Sequence, residues 1–279
     1  AEPALAPECP IDPAAAAPRK GYRVLPRAND PARGCPLALV AAERRGPEHW
    51  AELGLRLLDC VRDAGKQRGW SLLAVGAVDR SPGEVIQELQ STRAFGVILD
   101  GADAGIIAAV REAGIPAVII NDWSENPSLD VVVQDGQMGS VLAARHLIAA
   151  GCRRIAWFGF LTDSPLGHDR LSGALAALMA AGQPLPPELV VQVSTEKQEY
   201  EARARQMLAR PDRPDGVIAL WRGYALAVKH AADELGLRLG RDLELVGWCP
   251  EEIIDSAYLP DFAGGPVPPA VVWDVATLG

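Results

Sequence analysis

Tryptophans stand at the points of this chain where an α/β sheet places its ligands. Four of the 7 tryptophans come shortly after a run of apolar, strand-type residues: Trp50 after Leu37–Ala41, Trp123 after Ala117–Ile120, Trp221 after Gly216–Leu220, and Trp248 after Leu243–Gly247. Open α/β sheets bind ligands outside the carboxyl ends of their strands, and an indole offers a flat apolar face with one polar N–H. Singly, each tryptophan fits packing on its own loop. As a set they predict an aromatic cleft that stacks on sugar rings or planar ligands.

Arg170 is the candidate for gripping a polar ligand. It follows His168 and Asp169, directly before a predicted helix at Leu171–Ala181. Its fork of N–H donors suits vicinal hydroxyls or a carboxylate, and free backbone N–H groups at a helix start favour the same ligands. We expect Arg170 to project into a solvent-filled crevice, so that its replacement weakens ligand binding and barely changes the melting temperature.

Motifs for catalysis and metal binding are missing. The sequence contains no G-x-S-x-G, G-x-x-x-x-G-K-[ST], H-E-x-x-H or G-x-G-x-x-G, and its 4 histidines are scattered. The 5 cysteines are odd in number and include no C-x-x-C, which argues against a disulfide framework and a zinc site. We therefore expect a protein that is not an enzyme, with no catalytic residue, metal or cofactor.

Composition narrows the possible partners and location. The net charge of −9 lacks the basic footprint that phosphate binding needs, so these residues are not expected to hold DNA or RNA. The uncharged stretch at 171–187 is broken by glycine and prolines, and no apolar run of about 20 residues could cross a bilayer. Unpaired thiols fit a cytoplasmic location.

The order of elements predicts two tandem lobes. Residues 1–36 are rich in proline and alanine and are interpreted as a linker or disordered tail. From Pro36 onward, short runs that are apolar throughout alternate with helical patterns, which is typical of parallel sheets covered on both faces. We predict an α/β fold of two doubly wound parallel-sheet lobes. Residues 37–133 form the N-terminal lobe, to which 268–279 return, and residues 134–267 form the C-terminal lobe.

The segment at 131–160 resembles the effector-binding domain of the lactose repressor/galactose repressor family of bacterial transcription regulators. The matching features are Asp135–Gly136, His146–Leu147, Gly151 with Arg153–Arg154, Ile155–Ala156, Arg170-Leu-Ser-Gly173, the run at 214–219 and Leu245-Val246-Gly247. The resemblance implies a periplasmic-binding-protein type 1 fold with an effector in the cleft. It also implies dimerisation through the lobes, for which Trp50–Val61 and Val141–Ile148 are the candidate helices. Arg170 matches the arginine that grips effector oxygens in this family.

The chain departs from the family pattern at the ligand positions. The family often has Asp at the place of Asn121, Asn-Asp at the place of Trp221–Arg222, and Asp at the place of Cys249. Asn121 remains a candidate ligand residue. The exchanges favour an acidic or more apolar effector over a neutral hexose, or the loss of effector binding.

Two functions from different classes remain. The first is the effector-sensing domain of a cytoplasmic transcription regulator, a homodimer that binds a sugar or sugar derivative and contacts DNA only through a domain expected before Ala1. The alternative is a periplasmic sugar-binding protein of an ABC transporter, which the start Ala1-Glu2-Pro3 would suit after removal of a signal peptide. The free cysteines and the repressor-like spacing favour the first function.

Overall fold

The computed structural model describes residues 36–41, 50–120, 129–160, 165–194 and 196–275. They form two five-stranded sheets whose paired strands run parallel. Across the first sheet the strands are Ser71–Gly76, Pro36–Ala41, Gly96–Asp100, Ala117–Ile120 and Asp130–Val132, and across the second they are Ala270–Trp273, Glu244–Pro250, Gly216–Ala219, Ile155–Gly159 and Val190–Gln192. Helices cover both faces of each sheet. The predicted α/β class with two doubly wound lobes is confirmed.

The N-terminal lobe, called lobe one below, is a three-layer unit, and the C-terminal lobe is called lobe two. Its elements are β1 Pro36–Ala41, α1 Trp50–Gln67, β2 Ser71–Gly76, α2 Pro82–Ser91, β3 Gly96–Asp100, α3 Ala104–Glu112, β4 Ala117–Ile120 and β5 Asp130–Val132. Successive side chains of a strand point to opposite faces. Ala38 and Val40 accordingly join the core beneath α2 and α3, whereas Leu39 packs with Leu57 and Val61 of α1. Both faces of the central strand β1 are therefore buried at Ala38–Val40, which explains its uninterrupted apolar run.

Lobe two repeats the arrangement with a larger core. Its elements are α4 Gly136–Ala149, β6 Ile155–Gly159, α5 Pro165–Ala180, β7 Val190–Gln192, α6 Lys197–Leu208, β8 Gly216–Ala219, α7 Arg222–Glu234, β9 Glu244–Pro250 and β10 Ala270–Trp273. Short helical turns occupy Pro187–Leu189 and the stretch from Glu251 to Asp261. Trp157 and Phe158 of β6 are fully buried between the helix layers.

Helix α2 was absent from the sequence prediction. A capping box starts it: Glu84 N donates to Ser81 Oγ, and Ser81 N donates to Glu84 Oε2 at 2.8 Å. Pro82 in the first turn supports the same start. The Ser-x-x-Glu signature was therefore available locally, and Val85 and Leu89 bury the helix against lobe one.

The expected return of residues 268–279 to lobe one is wrong for β10. This strand pairs in parallel with β9, with Val271 opposite Trp248, and so belongs to the sheet of lobe two. The chain reaches the core of lobe one at the end of β10, where Trp273 packs against it, and at Val275, which packs with Leu39 and Leu57. The proline-rich segment before β10 is held to lobe two because Tyr258 Oη donates to the carbonyl oxygen of Pro268 at 3.1 Å.

The first crossing between lobes lies between Val132, the last residue of β5, and Gly136, the first of α4. The interpretation of residues 1–36 as a tail concerns residues outside the described part, except Pro36, which begins β1. Within the described ranges, no helix has the length and apolar character of a membrane span.

Candidate functional site

The carboxyl ends of β8 and β9 bring two of the predicted tryptophans to one place. Trp221 directly follows Leu220 after β8 and is the N-cap of α7. Trp248 lies inside β9, which continues to Pro250 and is longer than predicted. The ring centres of both indoles are 4.8 Å from Arg170 Cζ. The three side chains therefore form one cluster, here called the Arg170 cluster.

The position of Arg170 corrects the sequence prediction. Helix α5 begins at Pro165, so Arg170 lies in its second turn rather than at a helix start. Only the first four backbone N–H groups of a helix lack an internal acceptor, and that of Arg170 is not among them. The side chain is 1% exposed, so it does not project into a solvent-filled crevice. Trp221 and Trp248 are likewise buried, at 6% and 2% exposure.

Glycines on α4 and α5 create the space for this cluster. A Cβ atom added to Gly136 would lie 2.9 Å from Arg170 Cγ, and one added to Gly139 would lie 2.5 Å from Trp248 Cη2. At Gly173 an added Cβ would lie 2.1 Å from the backbone oxygen of Gln137, so the two helices are in backbone contact there. Gly136 and Gly173 are part of the sequence motifs that carried the resemblance, although their packing role was not predicted.

Arg170 is a buried cation with incomplete hydrogen bonding. Its Nη2 donates to Gln134 Oε1 at 3.2 Å, whereas Nε and Nη1 have no acceptor among the described residues. Burial lowers the pKa of the guanidinium to about 10, and the charge of Asp169 acts in the opposite direction. The group is still charged at neutral pH. Because unpaired buried donors on a charge are costly, this site favours a ligand that supplies acceptor oxygens.

Arg222 and Cys249, two of the departures from the family pattern, add little charge to the cluster. Arg222 of α7 forms an ion pair with Asp261, so part of its charge is directed at that carboxylate. Cys249 is fully buried, and burial raises the pKa of its thiol to about 12. A neutral thiol cannot replace a ligand-binding carboxylate. The positive charge of Arg170 therefore dominates the cluster.

Trp221 has an unusual backbone. Its φ of 74° and ψ of 151° lie in a region that is essentially restricted to glycine. Such a conformation is costly for a residue with a β-carbon and persists only when the surroundings enforce it. Here the indole reaches the Arg170 cluster from this strained position.

The predicted four-tryptophan cleft is only partly described. Trp50 is the first residue of α1, and its side chain lies outside the described residues, as do Asn121 and Trp123 altogether. The two indoles that the structure does bring together contact Arg170 rather than an open cavity, which corrects the expectation of free stacking faces. In the part of the chain that the structure describes, no group of three or more His, Cys, Asp or Glu residues could hold a metal ion.

Comparison with known proteins identifies relatives of this chain. Residues 144–272 match the family described as periplasmic binding protein-like domain. The HTH-type transcriptional repressor PurR of Escherichia coli O139:H28 is 29% identical over 145 residues, which make up 51% of this chain and 42% of that protein. The aligned region thus spans less than half the length of this curated relative.

Solved structures share the fold over most of the chain. The transcription regulator CcpA of Lactococcus lactis superposes with a TM-score of 0.72 at 17% identity, covering 88% of both chains. The lac repressor dimer bound to operator and the anti-inducer ONPF superposes with a TM-score of 0.71 at 19% identity, covering 88% of this chain and 72% of that one. The predicted periplasmic-binding-protein fold and the predicted family resemblance are confirmed.

Proposed function

We propose that this chain, a periplasmic binding protein-like domain related to the lactose repressor/galactose repressor family, is the effector-sensing part of a bacterial transcription regulator. The observation that carries the proposal is Arg170, a buried cation at the carboxyl ends of β8 and β9 with two donor nitrogens that find no acceptor among the described residues. Ligands of this fold type lie at that end of the sheets. A sugar derivative or another ligand with acceptor oxygens would complete the hydrogen bonding of the guanidinium.

The contact between Arg170 and Gln134 offers a route from the site to the lobes. Gln134 lies in the crossover between β5 and α4, and its side chain accepts a hydrogen bond from Arg170 Nη2. A ligand on Arg170 would change this bond and with it the relative position of the lobes. It shifts the regulator between states only by the difference in its affinity for them.

The remaining elements of the proposal are partners and location. Leu55 of α1 and Leu142 of α4 are exposed apolar side chains, which suits a homodimer interface across both lobes. Within the segment Val141–Ile148, Val141 and Ile148 instead pack on the core, so Leu142 would carry that contact. We propose a cytoplasmic protein without catalytic activity that reaches DNA through a separate domain. The transporter alternative is not favoured, because the relatives reported above are transcription regulators.

Chromatin immunoprecipitation in the bacterium that encodes the protein tests this function. The tagged protein should enrich discrete promoter sites, and Arg170→Met should change their occupancy under conditions in which the wild-type protein responds. Arg68→Met is the matched control, because Arg68 also lies over an indole, that of Trp70 at 5.7 Å, but is part of lobe one. DNA recovery equal to that of an untagged strain would refute the proposed function.

A further inference from the structure

We propose that Trp221 is an internal plug of the site: its indole lies on Arg170 in the place of a ligand, and an aromatic carboxylate binds by displacing it. This inference rests on the proposed sensing function and adds the state of the empty site and the class of its ligand.

The Arg170 cluster is closed to any ligand as it stands. The guanidinium is 1% exposed and has both indoles at 4.8 Å. A ligand cannot reach Nε or Nη1 unless one of the covering side chains moves. The question is therefore which tryptophan can leave.

Trp248 is held firmly in place. It belongs to β9, a strand with paired neighbours on both sides, and stands opposite Val271 of β10. Its ring also fills the space over Gly139, where even a methyl group would collide with it. Moving Trp248 would disrupt a sheet and a helix contact, so it is a fixed wall of the site.

Trp221 is attached to the fold differently from Trp248. It lies outside the paired residues of β8, at the junction with α7. Its positive φ means that its present conformation is strained. A shift of this backbone to a favoured φ would release the strain and move the indole, which lowers the cost of displacement. Trp221 is therefore the covering side chain that a ligand can displace.

The chemistry of Arg170 indicates which class of ligand displaces Trp221. An indole face attracts the cation but supplies no acceptor atom, and Gln134 supplies only a neutral one. A ligand that keeps a planar ring against the guanidinium and adds a carboxylate provides both interactions. A carboxylate also balances the buried charge, which a neutral sugar hydroxyl does not. We therefore assign the ligand to the aromatic carboxylates.

Arginine modification tests the plug. The chain is treated with phenylglyoxal, and modification of Arg170 is followed by peptide mass spectrometry in the wild type, in Trp221→Gly and in Trp70→Gly. We expect Arg170 to react at least tenfold faster in Trp221→Gly than in the other two proteins. Equal rates in all three would overturn the plug. If the glycine variant does not fold, as judged by circular dichroism, Trp221→Asn replaces it, because asparagine tolerates positive φ better than most residues.

Calorimetric titration with two probes tests the ligand class. Indole-3-acetate offers a ring and a carboxylate, and indole-3-acetamide is its neutral counterpart. We expect Trp221→Gly to bind the acetate at least tenfold more tightly than the amide, and at least tenfold more tightly than the wild type does. Equal affinity for acid and amide would overturn the carboxylate assignment. Equal affinity of wild type and variant would overturn the plug.

Failure of this inference and failure of the proposed function can be told apart. Both experiments above use the chain in solution and involve no DNA. If the titration is positive and the immunoprecipitation is negative, the plugged site is supported and the regulator function is refuted. If the titration is negative and the immunoprecipitation is positive, the regulator function is supported and the plug is refuted.

Discussion

Arg170 of α5 donates a hydrogen bond from Nη2 to Oε1 of Gln134, 36 residues earlier in the chain and in the crossover between the lobes, at 3.2 Å. Around this bond, Trp221 and Trp248 cover the cation and exclude water. The site is therefore part of the core of lobe two and is also connected to the crossover between the lobes. Changes at Arg170 should affect stability as well as binding, which differs from the expectation drawn from the sequence.

Two replacements of Arg170 should distinguish how its volume and its charge affect the free energy of unfolding. Arg170→Ala leaves a cavity in the packed core and should lower the free energy of unfolding by about 2–4 kcal/mol. Arg170→Met fills much of the volume and removes a buried cation that forms no ion pair with a carboxylate of the described residues, so it should lie within about 1 kcal/mol of the wild type. Urea denaturation measures both. Equal losses in the two variants would mean that the cation itself stabilises the core.

Two substitutions of Trp221 should report its backbone strain. Both Trp221→Ala and Trp221→Gly lose the buried indole, but only glycine adopts φ 74° and ψ 151° without strain. The glycine variant should therefore be more stable than the alanine variant by about 1–3 kcal/mol, the reverse of the usual order inside helices. Thermal unfolding of the two variants provides the comparison. An alanine variant at least as stable as the glycine variant would show that the backbone is not strained there.

Close approach of α4 and α5 should make Gly173 intolerant of a side chain. A Cβ there would lie 2.1 Å from the backbone oxygen of Gln137, so Gly173→Ala must push the helices apart and should cost about 1–3 kcal/mol. Gly83→Ala in α2 is the control. No atom lies within 4 Å of a Cβ at Gly83, and the change should stabilise the helix by about 0.5–1 kcal/mol. Chemical denaturation with similar midpoints for both variants would contradict the packing described above.

Stability should fall at alkaline pH because buried thiols resist ionisation. Burial raises the pKa of Cys249 to about 12 and that of Cys152 to about 11, from 9.0. Above pH 9.0 the unfolded chain releases these protons and the folded chain keeps them, so the free energy of unfolding decreases as pH rises. Each thiol contributes up to about 1.4 kcal/mol per pH unit.

Cys249→Ala provides the corresponding measurement. Its unfolding free energy, determined by urea denaturation between pH 9 and 11, should fall less steeply with pH than that of the wild type. Burial also raises the pKa of Tyr224, which contributes equally to both proteins and cancels in the difference. The pKa of Tyr258 is raised by burial and by the charge of Cys249, so the difference between the two proteins includes that coupling. Identical slopes would show that Cys249 ionises as readily in the folded chain.

Self-association should depend on the exposed apolar face of α4. Leu142 is 56% exposed, and Leu142→Asp would place a charge in the proposed dimer interface. Sedimentation at micromolar concentration should show a dimer for the wild type and a monomer for this variant. Met179→Asp on α5 is the control, since Met179 is 69% exposed and outside the proposed interface. A wild-type protein that sediments only as a 29.6 kDa species would rule out the dimer under these conditions.

The sequence by itself determined the architecture. Runs that are apolar throughout predict strands buried on both faces, and their alternation with helical patterns predicts parallel sheets, because each signal depends on residues close together in the chain. The Ser81–Glu84 capping box is a signal of the same local kind, and α2 could have been predicted from it.

Only the tertiary structure decided the sheet to which β10 belongs and the environment of Arg170. An apolar strand pairs equally well at several sheet edges, so its own residues do not select β9 as the neighbour. Whether the guanidinium faces water depends on the spacing of α4 and α5, which Gly136 and Gly173 set from distant positions in the chain. It depends also on two indoles carried by separate strand ends. Burial is a sum over such long-range contacts, and no local pattern of residues contains that sum.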